Sequence, residues 1–144
     1  MKNDRGLILL EVLLSLAVIA ILAGLSYPFA TTMLKKNDLD TATNIIAQTL
    51  RRAQILSQAV DGDISWGVKV QSGSINLFKG TGYTLRDSNF DETFEVPSTI
   101  SFSGVSEVVF NKFSGDPQIT GTINLSGGSD TSSVSINDKG TISY

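Results

Sequence analysis

Arg5-Gly6-Leu7-Ile8-Leu9-Leu10-Glu11 opens an apolar run in which no charged side chain occurs from Val12 to Met33. Glu11 is the lone acid at the N-terminal mouth of that run, five residues after a glycine. A carboxylate carried to mid-bilayer depth costs about 2.5 kcal/mol or more. An acid in such a setting therefore reads as functional, with a partner to be found. The run from Leu7 to Met33 exceeds the roughly 20 apolar residues that a bilayer-spanning helix needs.

Three readings compete for this segment. A cleaved secretory signal has a short apolar core of roughly 7–15 residues and an A-x-A-like site. Here the core is longer, and Ile21-Leu22-Ala23 matches the site poorly. An ordinary single-pass anchor accounts for the length but not for Gly6 or Glu11. A helix that first sits in the membrane and is then withdrawn to pack against copies of itself accounts for the acid as well. In that bundle Glu11 would face a partner charge, and two charges in a low-dielectric interior are tolerable only as a pair.

The order of short charged leader (Met1-Lys2-Asn3-Asp4-Arg5), Gly6, four apolar residues and Glu11 resembles the type IV pilin and pseudopilin family. The resemblance implies a leader of residues 1–6, cut by a prepilin peptidase between Gly6 and Leu7, and N-methylation of the new first residue Leu7. The family's usual first residue is Phe, so Leu7 departs from the pattern. The resemblance further implies that Glu11 pairs with the N-terminal ammonium of a neighbouring subunit. It places the leader in the cytoplasm and the C-terminal domain outside. Charge alone does not settle the orientation, because Lys2 and Arg5 flank one end of the run and Lys35 and Lys36 the other.

Gly24 and Pro28 interrupt the run. Proline removes one helical hydrogen bond and tends to kink the helix. One reading is a bend that fits a membrane helix to its neighbours. The other, implied by the resemblance, is a segment that loosens during assembly and makes Pro28 an assembly residue beside Glu11. The two are compatible.

After Lys36 the pattern becomes amphipathic. Leu39, Ala42, Ile45, Ile46, Leu50, Ala53, Leu56 and Val60 recur at helical steps, with Gln48, Arg51, Arg52 and Gln58 left for water. Asp61-Gly62-Asp63 is expected to stop this helix over residues 35–61. If continuous from Leu7 to Ala59, the helix is about 80 Å long at 1.5 Å per residue.

From Ile64 onward the period changes to two. Expected strands are Ile64–Val70, Ser74–Phe78, Tyr83–Arg86, Phe94–Val96, Thr99–Phe102, Glu107–Phe110, Thr120–Leu125, Val134–Ile136 and Thr141–Tyr144. Turn signals separate them, among them Ser72-Gly73, Gly80-Thr81-Gly82, Asp87-Ser88-Asn89 and Asn137-Asp138-Lys139-Gly140. Gly127 to Ser133 reads as a loop tip. The expected fold is α+β: a long N-terminal helix, hydrophobic over 7–34 and amphipathic over 35–61, packed on an antiparallel β-sandwich-like domain over 62–144. Trp66, Val68, Val70, Ile75 and Leu77 are expected to pack on the apolar stripe of residues 39–60. Trp66-Gly67-Val68, Val109-Phe110, Thr122-Ile123-Asn124-Leu125 and the final hairpin resemble the H-type branch of type II secretion pseudopilins and minor pilins.

Composition narrows the chemistry. With no His and no Cys, the chain lacks the commonest general base, the commonest transition-metal ligand and any disulfide. No catalytic set, cofactor site or metal site is expected. Asp61/Asp63, Asp87/Asp91/Glu92 and Asp130 are oxygen donors of the kind Ca²⁺ takes, but their spacing matches no calcium loop, and turn formation accounts for them better. Gly80-Thr81-Gly82 lacks the Lys-Ser/Thr of a phosphate loop. Residues 37–144 carry 7 basic and 12 acidic side chains, a net of −5, where a nucleic-acid binder would show a basic stripe.

The expected function is structural. The chain would be a subunit of a type IV pilus-like or type II secretion pseudopilus filament, held in the plasma (inner) membrane by one span before assembly. Its expected partners are other pilin or pseudopilin subunits, the peptidase and an inner-membrane assembly platform. The alternative is a permanently membrane-anchored, extracytoplasmic β-domain binding module.

Overall fold

The computed structural model describes the backbone from Asp4 to Tyr144 and the side chains of residues 7–24 and 36–144. Helix α1 spans Asp4–Gln58, and eight strands follow: β1 (Trp66–Gln71), β2 (Ser74–Lys79), β3 (Asp87–Glu95), β4 (Ser101–Gly104), β5 (Glu107–Phe110), β6 (Gly121–Gly127), β7 (Asp130–Ile136) and β8 (Ile142–Ser143). The architecture is α+β, with a β-sandwich-like domain. The chain divides into two units, residues 1–34 and 35–144.

The second unit has two antiparallel sheets, ordered β3-β2-β1-β5 and β4-β6-β7-β8. The tight β1–β2 hairpin closes at Gln71↔Ser74 around Ser72-Gly73, where Gly73 adopts φ 85°. One apolar cluster joins α1 to both sheets. It takes Leu39, Ala42, Ile46, Leu50 and Ala53 from the helix, Val68, Leu77 and Phe110 from the first sheet, and Ile123, Leu125 and Val134 from the second. The helical spacing of the stripe is thus the spacing of its burial, with Ile45 and Leu56 at the margin. Two threonines on the buried side, Thr43 and Thr49, donate to the carbonyls of Leu39 and Ile45 at 2.8 and 2.7 Å, so their hydroxyls are satisfied within the helix.

α1 stops earlier than Asp61. Val60 takes the left-handed conformation at φ 58°, costly for a β-branched residue. The β domain holds this end. The Ser57 carbonyl accepts from the Phe113 N–H at 3.1 Å, and the Ser57 hydroxyl accepts from the Trp66 N–H at 2.9 Å. The indole of Trp66 donates to the Asp61 carbonyl at 3.0 Å. Further along, Gln54 donates to the carbonyls of Gly115 and Lys139 at 3.1 and 3.2 Å. Gly140 has φ 72°, a left-handed backbone that favours glycine, and a Cβ there would lie 3.1 Å from the Gly115 carbonyl oxygen.

Three expectations are corrected. Tyr83–Leu85 is a short 3-10 turn, not part of a strand. It straps the outer face of the first sheet, with the Tyr83 ring edge-on to Phe78 at 5.4 Å and the Tyr83 N–H donating to Glu107 at 2.9 Å. Asp87-Ser88-Asn89 is the start of β3 rather than a turn, because pairing with β2 begins at Lys79↔Asp87. Residues 130–133 belong to β7, not to a loop tip. Gly127 pairs with Asp130, and only Gly128-Ser129 turns.

Gly67 lies opposite Phe78 on β2. A Cβ there would meet Phe78 Cζ at 2.5 Å and the Val108 carbonyl oxygen at 2.9 Å. The second atom is backbone and cannot step aside. Gly67→Ala is therefore expected to lose about 1–3 kcal/mol by overpacking, read as a lower urea midpoint with an unchanged slope.

Candidate functional site: one acid in an uncharged helix

In the N-terminal unit every large apolar side chain from Leu7 to Leu22 is open to its surroundings, from 49 % at Val18 to 65 % at Leu7. The helix is apolar all round, a pattern that belongs inside protein or membrane. Leu7–Gly24 is long and apolar enough to cross a membrane. Its 18 residues span about 27 Å at 1.5 Å per residue, against a hydrocarbon core of about 30 Å.

Within such a helix the backbone satisfies its own hydrogen bonds. The hydroxyl of Ser15 donates to the Glu11 carbonyl at 2.8 Å, one turn back. The Glu11 carboxylate is different: among the described residues it has no hydrogen-bond or ion-pair partner. It is also the only ionisable side chain between Leu7 and Gly24. Glu11 lies four residues beyond Leu7, about 6 Å along the axis. Ser15, at i, i+4 spacing from Glu11, shares its face of the helix. Gly6 and Pro28 lie outside the residues whose side chains are described.

Several acids of the β domain have partners. Asp91 Oδ2 accepts from Arg86 Nε at 2.7 Å, and this hydrogen bond, opposed by burial, raises the Arg86 pKa above its ordinary value. Glu92 takes a bidentate pair from Arg52 at 2.6 and 2.8 Å. Asp63 pairs with Lys112. Asp87 Oδ1 accepts from the backbone N–H and the side-chain amide of Asn89 at 3.1 and 2.9 Å, at the start of β3. Asp130 opens β7. Among the described residues no three metal-ligating side chains converge.

The outer face of the second sheet is a field of small polar groups: Ser101 and Ser103 on β4, Asn124 and Ser126 on β6, Thr131 and Ser133 on β7. They sit opposite one another across the strands, with no acid or base to activate a hydroxyl. β propensity and a solvated face account for them. The Glu11 carboxylate is, among the described residues, the one charge of the apolar segment Leu7–Gly24, and it stands without a counterpart. No family model, no curated protein and no solved structure matches this chain.

Proposed function

We propose that this chain is a structural subunit of a type IV pilus-like or type II secretion pseudopilus filament, assembled through its N-terminal helix. One observation carries the reading: the single unpartnered charge of an apolar helix sits one turn beyond the Gly6-Leu7 junction. Cutting that junction creates an ammonium at Leu7. The ammonium of one subunit and the Glu11 carboxylate of its neighbour then form a pair that neither chain supplies comfortably alone. Before assembly the apolar helix rests in the plasma membrane with the β domain outside. Afterwards the same surface packs against other copies, and the β domain faces outward. Peptidase and assembly platform act on the chain, and the chain itself performs no chemistry.

The test is intact and N-terminal peptide mass spectrometry on the chain purified from its native membranes. The expected mature form begins at Leu7 and carries one added methyl group. A chain still beginning at Met1 would instead make it a permanently anchored module. A chain beginning well after Gly24 would make it a secreted domain with no role for Glu11.

A further inference from the structure

The first sheet leaves one long edge unpaired. β3 is nine residues long and pairs with β2 on one side only. The opposite edge is closed, since Gln118 donates to the Val109 carbonyl at 2.8 Å and Phe110 bridges to Pro117. The edge strands of the second sheet have only four and two residues. Beyond β3, the Val96 N–H donates to the Gly73 carbonyl at 3.1 Å. The antiparallel alternation then directs Phe94 towards β2 and turns the N–H and C=O of Thr93 and Glu95 outward. Among the described residues no backbone group pairs with that side.

Where β3 meets α1 the surface forms a groove lined by Ile45, Gln48, Thr49, Arg52 and Phe94. Its floor is apolar, from the half-buried Ile45 and Phe94. The Arg52–Glu92 pair spans it from helix to strand. An open strand edge beside an apolar groove is the geometry that accepts an extended peptide: backbone hydrogen bonds supply affinity and the groove takes an alternate side chain.

Charge selects the occupant. β3 carries Asp87, Asp91, Glu92 and Glu95. Arg86 and Arg52 neutralise the middle two, and Asp87 and Glu95 have no ion pair among the described residues. A second copy of β3 laid against the first would set acids near acids, which destabilises a strand pair. We propose that β3 is the docking edge for an extended, lysine- or arginine-bearing segment of a different protein. The segment adds as a fifth strand, seats one apolar side chain over Ile45 and Phe94, and brings its cations to Asp87 and Glu95. This rests on the unit of residues 35–144 alone and is independent of how residues 1–34 are used.

The experiment uses the full chain in an uncharged detergent, with two capped probes: alternating valine and lysine, and alternating valine and glutamate. The lysine peptide is expected to bind, to slow amide exchange at Thr93 and Glu95, and to weaken as salt rises. The glutamate peptide is expected not to bind. Glu95→Pro removes an outward N–H without removing a bond to β2. It should weaken the lysine peptide by about tenfold or more and leave the thermal midpoint near that of the unaltered chain. Glu95→Lys, which keeps every backbone group, should weaken it through charge alone. Equal binding of both peptides, or binding without protection at Thr93 and Glu95, would overturn the proposal. So would protection that appears without peptide and grows with protein concentration, which would make a second copy the occupant.

Discussion

Glu11→Ala is expected to leave the chain in the membrane and abolish its incorporation into a filament. The alanine variant keeps the helix, and Leu7–Gly24 becomes more apolar, so insertion has no reason to fail. On the proposed filament reading, what is lost is the counterpart of the neighbour's N-terminal ammonium. Removing one partner of a buried pair leaves the other charge uncompensated, at about 3–5 kcal/mol. That is about two to four orders of magnitude in each subunit-addition equilibrium, repeated at every step of the proposed filament's growth. The measurement is the fraction of chain recovered in sheared filaments against the fraction in membranes, with processing at Leu7 checked in the same samples. A permanently anchored module predicts no change in either fraction. Normal incorporation of Glu11→Ala would therefore sink the filament reading.

The second large effect concerns the β domain. Leu50→Ala should destabilise it by about 2–5 kcal/mol, towards the upper end. Leu50 is fully buried in the cluster that joins α1 to both sheets. Sheet backbone is held by its ladders and closes poorly over a cavity. For a unit of about this size the loss corresponds to a fall of roughly 10–20 °C in the unfolding midpoint, read by circular dichroism of the full chain in detergent. Ile55, five residues on, is 62 % exposed, and Ile55→Ala should change stability by no more than about 0.5 kcal/mol. Equal effects at the two positions would mean that the helix does not present the face described.

Much of this molecule is legible along the chain. The change from three- and four-residue steps before Val60 to alternation after Ile64 marks helix and strands, because burial on a helix face and on a sheet face repeats at different periods. The buried stripe Leu39, Ala42, Ile46, Leu50 and Ala53 follows the sequence pattern directly. So do the hairpin at Ser72-Gly73 and the turn at Asn137–Gly140, since glycine and asparagine act locally through their own backbone. The Glu11 anomaly is equally local: a charge among apolar residues is conspicuous wherever it occurs.

Other features depend on residues far apart in sequence. β3 is rich in Asp, Glu and Asn, poor strand formers, and it is a strand because β2 supplies a ladder and Arg52 and Arg86 neutralise its middle. The serines of β7 give no strand signal of their own, but β6 pairs with them residue for residue. Tyr83–Leu85 reads as extended, yet the ring of Phe78 and the carboxylate of Glu107 fold it over the sheet. The end of α1 was decided in the same way. α1 ends at Gln58, beside Ser57, whose carbonyl and hydroxyl accept from the N–H groups of Phe113 and Trp66. The sequence by itself determined the periodicities, the tight turns and the isolated acid, each of which depends on neighbours within a few residues. Only the tertiary structure decided which polar stretches become strands, where the helix ends and which sheet edge stays open, because those depend on hydrogen-bond partners that the chain brings together only on folding.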